Sequence, residues 1–438
     1  MKSTSLAVIG AGPGGYAAAF LAADLGIEVT LIDPAPNPGG VCLYRGCIPS
    51  KALLHVAKVV AEAREAEHWG VSFGKPAIDA AKIRDWKDGV VESLTGGLGQ
   101  LCRQRRVNFV RGTARFTDAH TLNVKKPNSA AESLRFEHAI IATGSRPAEV
   151  PALAIDSSRV IDSTGALSFE SVPKTLLVVG GGYIGLELGS VYATLGSKVS
   201  VVEMMPSLLP GADTDLVRIL HKELENLFDE IMLETTVMSM TEQKSGMKVR
   251  VKGEEGESDL RFEKVLVSVG RRPNSEGLGL ENTHVVVGDR GFIEVDAARR
   301  TKEPSIFAIG DVVGEPMLAH KASHEGRVAA EVIAGRDVVF EPRAIPAVVF
   351  TNPEVAWCGI TENEARETGR EVRVARFPWA ASGRAKTLGR NEGATKIIAD
   401  PSNDRVLGVG IVGPGAGDLI AEAVLGIQMV ATVKDIAL

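Results

Sequence analysis

Apolar positions along this chain gather in short runs of strand length, each closed by glycine or an acid, and two of these runs open the same sequel. The run Leu6-Ala7-Val8-Ile9 leads into Gly10-Ala11-Gly12-Pro13-Gly14-Gly15, then an alanine-rich stretch of helical character, then a second apolar run closed by Asp33. Leu176-Leu177-Val178-Val179 leads into Gly180-Gly181-Gly182-Tyr183-Ile184-Gly185, another small-residue stretch, and a run closed by Glu203. Uninterrupted apolar runs predict strands buried on both faces, and strand, turn, helix, strand is the unit of a parallel sheet. Its recurrence at residues 6–33 and 176–203 predicts two dinucleotide-binding units.

Alternation within residues 107–124 predicts further strands. The run from Ala139 to Ala142 reads as a buried strand leaving the first unit through Thr143-Gly144-Ser145-Arg146-Pro147, and residues 265–269 leave the second through Gly270-Arg271-Arg272-Pro273. Past the proline-containing residues 341–346, an alternating segment at 347–350 and a helical one at 361–368 predict a separate α+β module. The expected fold is α/β, with two Rossmann-like domains and a C-terminal α+β module. Its boundaries are 1–146 for the first segment of the first domain, 147–272 for the inserted second domain, 273–343 for the return to the first, and 344–438 for the C-terminal module.

Composition narrows the function. A chain of 438 residues with net charge −6 and its basic residues scattered among acids offers no basic face to nucleic acid. Gly10, Gly12, Pro13, Gly14 and Gly15 break the apolar N-terminus where a signal peptide needs a helix, and Gly180–Gly182 with Glu187 break the one run that suggests a membrane span. Four cysteines are too few for a secreted disulfide scaffold, so a reducing, cytoplasmic setting is expected.

The glycine pattern has a chemical reason. Gly10 permits the tight turn, Gly12 lets backbone approach a pyrophosphate, and Gly15 lets the helix close on the sheet, with Asp33 placed for a ribose hydroxyl. Gly180, Gly182 and Gly185 repeat the arrangement. Glu203 at the end of the second unit would repel a 2′-phosphate, which favours NAD over NADP.

Residues 39–51 place Cys42 and Cys47 just after the first unit. Packing thiols or half of a metal site are the plain alternatives, although no second cluster with ligand spacing supplies the other half, and no metal is expected. On a regular helix, five residues would separate the two Cα atoms by roughly 7.5 Å of rise, beyond disulfide reach. A bridge therefore requires a break in the helix, which Gly46 and Pro49 permit. Lys51, one turn beyond Cys47, carries a charge that favours a thiolate or another nearby anion.

With these motifs in this order, the chain resembles the pyridine nucleotide-disulfide oxidoreductases, and among them the dihydrolipoamide dehydrogenases, over essentially its whole length. Residues 42–51 are similar to that family's redox helix, although Tyr44 and Arg45 stand where Asn-Val is common. The ending Ile48-Pro49-Ser50-Lys51 is closer to dihydrolipoamide dehydrogenases than to glutathione reductases. The resemblance implies a redox-active disulfide in which Cys42 exchanges with substrate and Cys47 contacts the flavin, with Lys51 paired to Glu187. It implies an FAD site of Gly10, Gly12, Gly14, Gly15, Asp33, Gly40, Lys51, Gly112, Thr143 and Gly144, completed by Asp311 of the second FAD motif and by Met317, Leu318, Ala319 and His320. It likewise implies an NAD site of Gly180, Gly182, Gly185, Glu203, Val237 and Gly270.

The implied reaction is oxidation of protein-bound dihydrolipoamide by NAD through the disulfide and FAD, in a homodimer serving a 2-oxo acid dehydrogenase complex. Family members end on a His-Pro and a glutamate that act across the dimer. Residues 433–438 stop before that pattern, so the interface domain is expected to be incomplete, and His320 and His324 belong to the flavin motif. On that expectation NADH-to-flavin transfer persists while lipoamide turnover loses the factor of about 100 to 10,000 that a positioned base supplies. The rival readings are a related disulfide or mercuric reductase and a non-catalytic flavoprotein scaffold subunit.

Overall fold

In a computed structural model that describes residues 2–437, the first apolar run is the centre of strand Lys2–Ile9. This strand lies between Val29–Asp33 and Glu132–Ile141, parallel to both, in a seven-stranded sheet. Asn108–Arg111 and Ile306–Ala308 add parallel neighbours, and Thr121–Lys125 with Thr113–Asp118 add an antiparallel extension. Side chains alternate across the sheet, so Leu6 and Val8 enter one core with Ala18, Leu31 and Val328. Ala7 and Ile9 enter another with Ile32, Phe116 and Ile141. Helix Pro13–Asp24 packs against helix Ala319–Ile333, where a Cβ on Gly326 would stand 2.4 Å from the carbonyl oxygen of Gly14.

The second run forms Thr175–Val179 in a five-stranded parallel sheet, in the order Glu230–Met232, Lys198–Val202, Thr175–Val179, Lys264–Val267, Val160–Ile161. Leu176 and Val178 face a core with Leu186 and Val191, and Leu177 and Val179 face an antiparallel meander over residues 236–262. The C-terminal module is a five-stranded antiparallel sheet covered by helix Ala416–Gln428.

By contact the chain forms two compact units. The first runs through Pro49 and adds Trp86–Pro147 and Arg271–Glu341; the second comprises Ser50–Asp85, Ala148–Gly270 and the chain from Pro342 onward. Residues 50–85 join the second unit because Leu53, Ala57 and Val60, on one face of helix Cys47–Glu65, are buried with Leu186, Val191 and Leu216. Within the second unit the nucleotide layer and the C-terminal sheet share this core through Val349, Val355 and Val412. No helix among the described residues is long and apolar enough to cross a membrane.

Candidate active site

The first turn is built by necessity from glycine. Gly10 has φ +98°, and a Cβ there would stand 2.3 Å from the carbonyl oxygen of Ala142. A Cβ on Gly15 would meet the Gly10 carbonyl oxygen at 1.8 Å, so the helix closes on the strand only without one. Asp33 holds the turn: its carboxylate accepts from the main-chain N–H of Ala11 at 2.7 Å and of Ala35 at 2.9 Å. Each oxygen keeps a further lone pair for a hydroxyl donor. Helix Pro13–Asp24 has Gly12 at its N-cap and no side chain capping it, which leaves main-chain N–H groups for an anion.

The cysteine segment is fastened to this turn. The N–H of Gly39 donates to the Ala11 carbonyl at 2.8 Å, and Gly40 lies so close that a Cβ would be 2.4 Å from the Gly12 Cα. Helix Gly40–Arg45 carries Cys42, the chain breaks at Gly46, and helix Cys47–Glu65 begins at the second cysteine. Gly46, at φ −147°, ψ −112°, lies outside both the helical and the extended regions, a conformation open to glycine, and Pro49 sits in the first turn of the new helix, where its missing N–H costs nothing. The two cysteines thus belong to separate helices, which removes the rise that would part them on one. Tyr44 exchanges hydrogen bonds with the main chain of Asn37 and, with Arg45, lines a pocket of about 380 Å³ formed with Pro34, Ala35 and Pro36.

Tyr16, which motif reading passes over, sits among these groups. Burial first, and then the charges of Cys42 and Cys47, push its phenol up to about 12, so it remains a neutral donor. Burial also pushes the Cys102 thiol up to about 11 and the Cys358 thiol up to about 12.

One turn along the helix from Cys47, the Lys51 ammonium lies 2.8 Å from Glu187, whose side chain is 4% exposed. The other Glu187 oxygen accepts from the N–H of Phe350 at 3.0 Å, and the Phe350 ring lies 4.5 Å from the Lys51 ammonium. Phe350 therefore holds both members of the pair, one through backbone and one through its ring. It escapes sequence reading because it looks like an ordinary strand-edge aromatic some three hundred positions away.

The second turn repeats the first. Gly180 has φ +107°, and a Cβ on Gly185 would stand 2.3 Å from the Gly180 carbonyl oxygen. Glu203 accepts from the N–H of Gly181 at 2.6 Å and of Met205 at 2.8 Å. Gly182 caps helix Tyr183–Thr194 without side-chain help, and a Cβ on it would meet nothing within 4 Å. Gly270, at φ +118°, closes the exit strand. Val237 is 7% exposed and its side chain lies in the core with Met240 and Val249.

The remaining expected flavin residues belong to the first unit. Gly112 follows Asp33 in the sheet, donating its N–H to the Asp33 carbonyl at 2.9 Å. Thr143 and Gly144 are tied to Asn274 by hydrogen bonds of 2.8 to 3.0 Å, and a Cβ on Gly144 would meet nothing within 4 Å. Asp311 follows strand Ile306–Ala308, and its Oδ2 accepts from the Ser145 hydroxyl at 2.5 Å. Fully buried Glu325 accepts from the N–H of Gly310 at 2.6 Å and from Arg299 at 3.0 Å, with the Lys321 ammonium at 3.3 Å. Met317, Leu318 and Ala319 are half-buried at the start of helix Ala319–Ile333, and His320 is exposed.

Uncapped helix N-termini, clamped acids after the second strand and side-chain-free approaches at Gly12, Gly144 and Gly182 fit two dinucleotides, one per unit. Comparison with known proteins agrees. Residues 4–326 match the pyridine nucleotide-disulphide oxidoreductases, and residues 345–438 match the dimerisation domain of the same family. A dihydrolipoyl dehydrogenase of Haemophilus influenzae is 48% identical over 435 residues, 99% of this chain and 91% of that protein. Dihydrolipoyl dehydrogenase 2 of Haloarcula marismortui is 46% identical over 437 residues, covering 99% and 92% of the two chains. Among solved structures, LpdA of Mycobacterium tuberculosis superposes with a TM-score of 0.91 at 26% identity, over 99% of this chain and 95% of that one. An HOCl-induced flavoprotein disulfide reductase of Escherichia coli, solved as a Cu(II) complex of a cysteine-to-serine mutant, superposes at 0.87 and 28% identity, over 99% and 94%.

Proposed function

The chain belongs to the pyridine nucleotide-disulphide oxidoreductases, and on that premise we propose that it is an NAD-dependent dihydrolipoamide dehydrogenase carrying FAD. The observation that carries the reading is the cysteine segment: two thiols on separate helices, fastened through Gly39 and Gly40 to a dinucleotide turn.

In this reading a substrate thiolate attacks the Cys42 sulfur of the oxidised pair. The dihydrolipoyl dithiol is oxidised to its cyclic disulfide while the bond between Cys42 and Cys47 opens to two thiols. When bound in the first unit beside Cys47, FAD would supply the two-electron redox chemistry that links the cysteine dithiol to NAD. The chain's own residues prepare that transfer. Cys47 starts its helix, where the dipole favours a thiolate, and Lys51 adds a cation one turn on. Glu187 and Phe350 keep that cation in place, and the Tyr16 phenol offers a neutral hydrogen bond. The Glu203 carboxylate, held by the N–H groups of Gly181 and Met205, would repel a 2′-phosphate, which selects NAD over NADP.

We assign residues 1–146 and 273–343 to FAD, 147–272 to NAD, and 344–438 to the interface of a homodimer. The full set of glycines, acids and Met317–His320 named from the resemblance lines these sites. The physiological substrate is the lipoyl group of a 2-oxo acid dehydrogenase complex, in the cytoplasm.

Stepwise reduction of the purified protein tests the core of this reading. Titration with dithionite should consume four electrons per FAD, with a long-wavelength band at the halfway point. NADH should reduce the flavin far more efficiently than NADPH. Uptake of only two electrons with no such band would remove the dithiol from the pathway and favour a flavoprotein scaffold.

A further inference from the structure

Two of the short strands in the first unit flank the points where the chain leaves it and comes back: Ser145–Pro147 and Arg271–Pro273, paired antiparallel. Ser145 is 2% exposed, and three hydrogen bonds converge on it. Arg271 donates from Nε to the Ser145 hydroxyl oxygen at 2.7 Å and from Nη2 to its carbonyl oxygen at 2.8 Å, and the hydroxyl donates to Asp311 Oδ2 at 2.5 Å.

The direction of this chain is fixed by chemistry. A guanidinium has donors only, so the Ser145 oxygen must accept from it, and the single hydroxyl proton is left for Asp311. The guanidinium forks across the hydroxyl and the carbonyl of one residue, which sets the position of that hydroxyl as well as its polarity. Asp311 is thereby held through Oδ2, and Oδ1 takes no part in these contacts.

We propose that Ser145 and Arg271 are positioning residues for the FAD site, acting through Asp311: the Arg271-to-Ser145-to-Asp311 chain presents the second Asp311 oxygen to the ribityl or phosphate region of the cofactor. The inference rests on the flavin reading given above. It adds to that reading two residues of the paired strands Ser145–Pro147 and Arg271–Pro273, neither of them among the FAD residues that the resemblance implies.

FAD affinity of the deflavinated chain is the measurement, made by fluorescence quenching. Ser145→Ala should raise the dissociation constant about tenfold, the effect of losing one charge-assisted hydrogen bond that orients a ligand. Arg271→Gln should give a smaller rise, because an amide can accept as well as donate and no longer dictates where the hydroxyl proton points. Ser145→Thr, which keeps the hydroxyl, should restore affinity to within about twofold of the parent, a rescue that relief of a packing defect would not give. Arg272→Ala is the control: it lies on the same ribbon, is exposed and pairs with Glu276 at 2.7 Å, so its removal should leave affinity unchanged.

In an Asp311→Asn background, Ser145→Ala should add little, since both changes break one path. Parent and Ser145→Ala binding FAD equally, or full additivity of the two substitutions, overturns the inference while leaving the flavin reading intact. A parent chain that takes up no FAD overturns both.

Discussion

Cys42 and Cys47 are half-buried beside a dinucleotide turn, whereas Cys102 and Cys358 are 2% and 1% exposed among apolar side chains. Burial raises both core thiols, to about 11 and about 12, so at neutral pH almost none of either is the reactive thiolate. After mild reduction, iodoacetamide at pH 7.5 should label Cys42 and Cys47 within minutes and leave the other two unmodified until the protein is unfolded. Peptide mass spectrometry reads this directly, and early labelling of Cys358 would contradict it. Replacing Cys47 by Ser should abolish the long-wavelength absorption of the half-reduced protein while retaining FAD. Glu187 is satisfied by an ammonium and a backbone N–H, and Glu187→Gln keeps only the second. Because Lys51 is 34% exposed, solvent screens much of the pair, and the expected loss of stability is about 1 kcal/mol rather than the several that a fully buried pair would give. A thermal melt measures it.

At the scale of elements, the cysteine helices depend on a glycine contact rather than on their own sequence preference. Gly40 combines φ +59° with an approach to Gly12 that leaves no space for a methyl group, so Gly40→Ala must push the cysteine segment away from the turn. Gly70 also has positive φ, at +85°, but a Cβ there would meet nothing within 4 Å. Gly70→Ala should therefore cost only the backbone term of about 1 kcal/mol, whereas Gly40→Ala should also weaken FAD binding by tenfold or more. Parallel FAD titrations and melts of the two variants separate the effects. Equal behaviour would mean that the helix is not seated on the turn.

At the scale of the whole molecule, the second unit is joined internally by a buried cation. Lys396, on a strand of the C-terminal sheet, is 1% exposed and lies 2.7 Å from Asp213, 2.5 Å from Asp215 and 3.2 Å from Glu362. Asp213 and Asp215 open helix Thr214–Leu227 of the nucleotide layer, and Arg376 adds a second cation against Asp215 and Glu362. The acids flank an ammonium, not a vacancy for a metal ion. Burial works to raise the Asp215 carboxyl, but hydrogen bonds and charge from Lys396 and Arg376 outweigh it and hold it below the ordinary carboxylate value. A group depressed in the folded state lends its stability above the unfolded value and loses it as pH falls through the folded one. Melting temperature of the parent should thus decline below about pH 4. Lys396→Met leaves three acids facing one another and should cost on the order of 3 kcal/mol at pH 7. The deficit should shrink on acidification, as protonation relieves the repulsion; a deficit constant with pH would show that lost packing is responsible.

What the sequence determined by itself was local and repetitive. Apolar runs set the strands, glycines at 10, 12, 15, 180, 182 and 185 set the turns, Asp33 and Glu203 ended the units, and the cysteine spacing demanded a break that the chain makes at Gly46. Each of these requirements is met within one stretch of backbone, so residue type suffices to reveal it. The tertiary structure alone decided that Phe350 holds Lys51 and Glu187, that Glu325 and Ser145 support the Gly310–Asp311 turn, and that residues 50–85 pack with the second unit. Those contacts join positions up to several hundred residues apart, and a side chain that orients another one has no composition or period of its own. Its identity follows from which donor or ring the fold brings within about 3 to 5 Å, a fact of packing that no single segment encodes.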